Sequence, residues 1–359
     1  DVYKRQIFMT AAKKKNSRRK QARFRSSRRK RIRNTVLLLL LLVVLGGTGI
    51  GAIYVLRNGT VFDKLEDAYV ASREFSGGIT DLDSLRADGF AKNLCVVVSD
   101  VPMDGVSLGE NQKGLLLDLD DRKVLYSKQA LQKVYPASIT KIMTAMLALK
   151  YGNMDDVVTI TQENLNLEEG SQVCGFWAGD QVTMDQLLHC LLVYSGNDAA
   201  AAIAEHVGGS TDGFVEMMNS YARELGCTGT HFTNPHGLQD ENHYTTPYDI
   251  YLMLKEALNY PEFTQITQSG SYTVEYTHAD GSSASTTLLA TDHYLTGEAT
   301  PPKNVTILGG KTGTTDNAGN CLALLSQNAY GKPYISIVMG ASTKDELYEQ
   351  MSSLLQNIN

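Results

Sequence analysis

Ser138 and Lys141 stand three residues apart in "YPASITK", where a helical pattern begins. A serine hydroxyl is a weak nucleophile until a neighbouring base takes its proton. On a helix, positions i and i+3 share a face, so this lysine can reach that hydroxyl. It serves as the base only if burial or a nearby positive charge lowers its pKa. The pair alone decides nothing, because a serine three residues before a lysine should occur about once by chance in a chain of this length. A serine at a helix start is also commonly an N-cap.

Two further motifs follow in order. "SGN", Ser195 to Asn197, supplies a hydroxyl that can relay a proton to a leaving amine. Its carboxamide can bind a substrate amide and hold the lysine. The same tripeptide is also an ordinary turn between helices. "KTG", Lys311 to Gly313, closes the strand pattern after "ILGG" and would bring a second cation toward Lys141. Near the start of its helix, Ser138 has free backbone N–H groups and the positive end of the dipole close by.

The elements that must position these residues read as strands, then helices, then strands. "LCVVVSDV" and "GLLLDLDDRKVLYSK" fit strands, the second a hairpin turning at Asp120 to Lys123. A helix is expected from about Pro136 to Lys150, with proline at its start. "TMDQLLHCLLVYS", "NDAAAAIAEHV", "STDGFVEMMNSYAREL" and "TPYDIYLMLKEAL" carry apolar residues at three and four spacing. Strands return with "SYTVEYT", "TILGGKTG", "NCLALLSQ" and "YISIVMG", and a last helix covers roughly Lys344 to Asn357. Strands closing the same sheet around a helical insert give a mixed α/β domain with an all-helical lobe within about residues 150–260 and a cleft between the two.

S-x-x-K, S-x-N and K-T-G in this order resemble the active-site serine penicillin-recognising enzymes. "LLLDLDDRKVLYSKQALQKVYPASITKIMTAMLAL", "GDQVTMDQLLHCLLVYSGNDAA", "HFTNPHGLQDENHYTTPYDI" and "GGKTGTTDNAGNCLAL" are similar to the low-molecular-mass D-alanyl-D-alanine carboxypeptidases, the S11-type serine peptidases. The resemblance covers about residues 93 to 345. It implies a β-lactamase/transpeptidase-like fold, mainly antiparallel sheet with flanking helices. It implies Ser138, Lys141, Ser195, Asn197 and Lys311 as catalytic residues. Lys311 would sit on the strand lining the cleft, the Thr312 hydroxyl near the substrate carboxylate, and Gly313 would leave room for a peptide along the strand edge. Backbone N–H groups of Ser138 and Thr314 would form the oxyanion hole. The implied substrate is a peptidoglycan stem peptide ending in D-Ala-D-Ala, cleaved through an acyl-enzyme on Ser138 without cofactor or metal, with β-lactams as covalent inhibitors.

One departure bears on the substrate. Relatives often carry an arginine near the last strand for the terminal carboxylate, and this chain has none after Arg223. Thr312, Thr314 or Lys344 would have to substitute, and endopeptidase action on cross-links stays open. A class A-like β-lactamase would need an acidic residue between the second and third motifs. No E-x-x-x-N occurs there, although Glu275, Asp280 and Asp292 do. A non-catalytic penicillin-sensing module would need an output domain, for which the segment before the apolar run is too short.

Charge divides the chain. Residues 1–34 hold 15 of the 33 Lys+Arg and one acid, Asp1, which leaves 18 basic against 38 acidic residues beyond them. That balance of -20 opposes a nucleic-acid partner. The basic tract reads as a cytoplasmic tail facing anionic lipid. Thr35 to Leu56 is free of charge and, at about 1.5 Å per residue, long enough for a transmembrane anchor; a cleaved signal is the competing reading. The positive-inside rule then puts residues 57–90, a stalk, and 91–359, the catalytic domain, on the outer face. Met9 is the first methionine, and residues 1–8 receive no role. Because the catalytic unit is followed by neither a small β domain nor a C-terminal amphipathic helix, the N-terminal span is expected to supply the tether.

Cys95, Cys174, Cys190, Cys227 and Cys321 include no C-x-x-C, and buried free thiols are the preferred reading. His231, His236 and His243 lie close together without H-E-x-x-H, so structural hydrogen bonds before the helix at Thr246 are favoured over a metal site.

Overall fold

The computed structural model describes residues 93–358, within a compact unit that runs from Asp88 to Asn359. The expected basic tail, membrane anchor and stalk lie outside the described residues. Among those described, no helix is long and apolar enough to cross a membrane.

The chain enters as a hairpin, β1 (Lys113–Asp118) and β2 (Lys123–Lys128), and after a one-turn 3₁₀ segment (Ala137–Thr140) becomes α1 (Lys141–Tyr151). Then come β3 (Val157–Thr159), β4 (Gln181–Thr183) and α2 (Met184–His189), which runs into a π-helical turn (Cys190–Tyr194). Helices α3 (Asn197–Gly208), α4 (Thr211–Glu224), α5 (Pro247–Ala257) and α6 (Pro261–Thr267) precede β5 (Ser271–Thr277), β6 (Ser283–Leu289) and the short α7 (His293–Thr296). The chain closes with β7 (Thr306–Thr315), β8 (Gly319–Gln327), β9 (Pro333–Ala341) and α8 (Lys344–Leu355).

β1, β2 and the last three strands form one antiparallel sheet in the order β2-β1-β9-β8-β7, so chain segments far apart in sequence close it and β7 is left at an edge. Alternation sorts its side chains onto two faces. Leu115, Leu117, Ala323, Leu325, Ile335 and Ile337 pack toward α1 and the helical lobe. Leu116, Leu322, Leu324 and Val338 pack under α8 with Leu347, Met351 and Leu354. Both faces are buried, which is why β8 reads as an almost continuous apolar run. α1 is buried on every side from Lys141 to Ala148 and is the central pillar between sheet and lobe.

Side-chain caps set the helix starts. Thr183 and Gln186 form a reciprocal capping box at α2, and Ser210, Thr246 and Thr343 each accept from the backbone N–H three residues on.

Three expectations are corrected. "LCVVVSDV" forms no strand: it makes only a bridge between Val101 and Ser127. Its alternating burial is real, but its backbone is satisfied by side chains. Cys95 N donates to the Tyr251 hydroxyl at 2.9 Å, and Cys95 O accepts from the Tyr248 hydroxyl at 3.0 Å. "SYTVEYT" is a strand, β5, but belongs to a second antiparallel sheet, β3-β4-β5-β6. The region expected to be helices alone therefore also carries β3 and β4, too short at three residues each for alternation to register.

Candidate active site

The Ser138 turn is held under strain. Ala137, immediately before it, has φ +48, a left-handed conformation that a residue with a Cβ rarely adopts. Glycines crowd the turn from two sides. A Cβ on Gly313 of β7 would lie 2.9 Å from Ser138 N, and one on Gly237 would lie 1.8 Å from Ala137 O. Gly237 also has φ +89, so a side chain there is excluded twice. Gly313 thus makes room for the chain's own turn, and it also lines the cavity.

Beneath the turn, Thr140 Oγ1 donates to Ala137 O at 2.8 Å and lies 2.8 Å from His243 Nε2. His243 Nδ1 accepts from Thr233 N–H at 3.1 Å. That fixes the neutral tautomer with the proton on Nε2, which donates to Thr140. Burial pushes His243 down to about 4. Ser138 caps nothing: neither the 3₁₀ turn nor α1 has a side-chain cap.

Lys141 is fully buried and its Nζ has three neighbours: Ser138 Oγ at 2.8 Å, Asn197 Oδ1 at 2.6 Å and His236 O at 2.9 Å. Two are carbonyl oxygens that only accept. A neutral amine has two N–H groups for them and one lone pair left for a proton from Ser138. Burial, and then the charge of Lys311, holds Lys141 well below the usual lysine range.

Lys311 is also buried, and its Nζ donates to Thr312 O at 3.1 Å. Burial pushes it down to about 7, against the pull of the Asp292 carboxylate. Asp292 is buried in turn; its Oδ1 accepts from the Tyr348 hydroxyl at 3.2 Å and from Tyr294 N–H at 3.0 Å.

The "SGN" motif enters from the lobe. Ser195 sits at φ +70 between the π-helical turn and α3. Asn197 opens α3. The buried Asp198 carboxylate binds Cys174 N–H at 2.8 Å and Ala199 N–H at 2.9 Å, tying the 172–175 loop to the motif.

Ser138, Ser195, Asn197, Thr312, Gly313 and Thr314 line one cavity of about 340 Å³. Lys141 and Lys311 lie behind its wall. Thr312 Oγ1 meets Thr291 Oγ1 at 2.5 Å, and Thr314 Oγ1 donates to Asn320 Oδ1 at 3.1 Å. Lys344 is on the wall; Glu275, Asp280 and Asp292 are not.

Sequence reasoning missed three contributors. "NPHGL" was weighed for its imidazole, yet its main-chain His236 carbonyl is what fixes Lys141. The His236 ring, pushed down to about 3 by burial and then by Lys141, is neutral. The 170–172 loop supplies a wall without any motif. Asp198 could have been found as an acid in the first turn of α3 beside "SGN". The five cysteines are buried and free, and His231 and His243 serve hydrogen bonds in the loop before α5.

This site and fold have known relatives. The sequence model of the S11 peptidases, D-alanyl-D-alanine carboxypeptidase, matches residues 109–343, and the chain belongs to that family. It is 36% identical over 251 residues to D-alanyl-D-alanine carboxypeptidase DacF of Bacillus subtilis, covering 68% of this chain and 61% of that one. The crystal structure of the Streptomyces K15 DD-transpeptidase superposes with a TM-score of 0.62 at 28% identity, over 67% of this chain and 94% of that one. The D-alanyl-D-alanine carboxypeptidase of Mycobacterium tuberculosis H37Rv gives 0.61 at 28% identity, over 72% and 92%. The chain thus spans about three fifths of the DacF sequence.

Proposed function

We propose that the chain is a serine-type D-Ala-D-Ala carboxypeptidase that removes the terminal D-alanine from peptidoglycan stem peptides. The observation that carries this reading is the buried Lys141 amine, 2.8 Å from Ser138 Oγ with its two other contacts taken by carbonyl oxygens. Lys141 takes the Ser138 proton as Oγ attacks the carbonyl between the two D-alanines. The oxyanion forms against the backbone N–H groups of Ser138 and Thr314; Ser138 N faces β7 beside Gly313, and β7 is an edge strand. The C–N bond breaks, the leaving amine takes a proton through the Ser195 hydroxyl, and water releases the acyl group. A β-lactam acylates the same oxygen.

Two tests on the full chain decide this. A fluorescent penicillin should label it covalently and clear slowly, and a pentapeptide ending in D-Ala-D-Ala should release D-alanine. Ser138→Ala should lose both. Rapid turnover of penicillin would instead make it a β-lactamase. Endopeptidase action is a second reading, favoured by the lack of any Arg after Arg223 and by a single cavity lysine, Lys344, in its stead; hydrolysis of a cross-linked dimer faster than of the pentapeptide would establish it.

The basic tract and the apolar run of residues 35–56 support a membrane-tethered enzyme with its catalytic domain on the outer face. Protease accessibility on intact cells tests that placement.

A further inference from the structure

Two of the five buried thiols meet beside the "SGN" motif. Cys174 stands in the loop whose earlier residues, Gly170 to Gln172, wall the catalytic cavity. Cys190 opens the π-helical turn that leads to Ser195. Their side chains hydrogen-bond to each other. The other three cysteines make no such pair: the Cys95, Cys227 and Cys321 thiols donate to the backbone carbonyls of Asp118, Asp249 and Ala318.

Both members of the pair bear on Gly196, the middle residue of the motif. Cys190 O accepts from Gly196 N–H at 3.0 Å. Cys174 Sγ fills the space that a side chain on Gly196 would need, since a Cβ there would lie 2.3 Å from it. The backbone straps the same loop to the next two residues. Gln172 O accepts from Asn197 N–H at 2.8 Å, and Cys174 N–H donates to the Asp198 carboxylate at 2.8 Å. Asn197 in turn holds the Lys141 amine. A displacement of Cys174 toward Cys190 is therefore passed to Asn197 and to the base behind the nucleophile.

We propose that Cys174 and Cys190 form a reversible disulfide that draws the 172–175 loop against the π-helical turn and slows acylation of Ser138. The oxidant is a low-molecular-mass disulfide. Cys174, at 6% exposure against 0% for Cys190, is attacked first. Its thiolate bonds to one sulfur of the oxidant and expels the other as a thiolate, which takes up a proton. The Cys190 sulfur then attacks Cys174 Sγ and expels the second small thiol. Two protein thiols and one small disulfide thus become one protein disulfide and two small thiols. A disulfide sets its sulfurs about 2 Å apart, well inside non-bonded contact, so the loop and the turn must close on Gly196. The Cys190 thiol, and then burial, hold the Cys174 thiol well above the usual range, so the exchange quickens as pH rises.

The test treats the full chain with oxidised glutathione at mildly alkaline pH. The protein should lose two of its five free thiols, and peptide mapping without reduction should recover residues 174 and 190 in one cross-linked pair. Acylation by fluorescent penicillin should slow by about ten- to a hundredfold and recover on addition of dithiothreitol. Cys190→Ala, or Cys174→Ala should the first not fold, should acylate at the same rate with and without the oxidant. Absence of that cross-link, a cross-link to another cysteine, or a cross-linked protein whose rate is unchanged or not restored overturns the proposal, as does a variant that the oxidant slows. Failure of the reduced protein to bind penicillin at all would sink the carboxypeptidase reading and the control of acylation with it, and the mapped cross-link decides the disulfide independently.

Discussion

Asn197 Oδ1 lies 2.6 Å from Lys141 Nζ and takes one of the amine's hydrogens as a neutral acceptor. A carboxylate in its place would stabilise the ammonium instead. Asn197→Asp should raise the Lys141 pKa and lower the fraction of free amine at pH 7. Penicillin acylation should slow accordingly and recover as pH rises. An unchanged rate at pH 7 would show that Lys141 is not the base.

Lys311 sets the same equilibrium from the other side, because its charge is the second influence holding Lys141 down. Lys311→Met should shift the acid limb of the acylation profile to higher pH. Stability should move the opposite way to activity. The folded-state pKa of about 7 is far below the lysine value of 10.5, so the unfolded chain holds the proton across that window. Buried Lys311 therefore destabilises the fold at pH 7, and the penalty fades as pH rises toward 10.5. The methionine variant should unfold at a higher temperature at pH 7 and differ less at pH 10. A lower midpoint at both pH values would mean that Lys311 and Asp292 together stabilise the core.

How far the sequence reached depended on whether a feature was local. Ser138 to Lys141 is one turn of backbone, and α2, α4 and α5 announce themselves through period and caps. The central sheet was legible because β8 and β9 are apolar on both faces. What stayed hidden was non-local or main-chain. No side-chain pattern marks that the His236 carbonyl, 95 residues from Lys141, would hold it. β6, "SASTTLL", is polar and small and becomes a strand only by pairing with β5. For Gly313, sequence shows the missing side chain and not that the Ser138 turn packs against it.

Gly313→Ala follows from that packing. Gly313 does not have a left-handed φ, so alanine is sterically excluded by its neighbours alone, with Ser138 N at 2.9 Å and Ala137 Cβ at 3.1 Å. The turn must give way, moving the nucleophile against its base. Acylation should fall about a hundredfold, with a stability loss of only about 1–3 kcal/mol in urea titrations. Gly237→Ala adds a left-handed φ to a 1.8 Å clash and should destabilise more. Wild-type acylation by Gly313→Ala would mean that the turn tolerates displacement.

His243 makes the same turn acid-sensitive. Its folded-state pKa of about 4 lies below the ordinary 6.5, so on acidification the unfolded chain takes up the proton first. Its contribution is whole above about pH 6.5, is lost as pH falls toward 4, and amounts to about 3 kcal/mol. His236, at about 3, adds a second proton over the same window. Protonation would also set a new N–H on Nδ1 against the Thr233 N–H and break the chain through Thr140 to Ala137 O. Unfolding free energies measured from pH 7.5 to 4.5 should fall with the slope of about two protons, and His243→Gln should reduce that slope by about one while slowing acylation at pH 7. A slope the same in wild type and variant would place the acid sensitivity elsewhere.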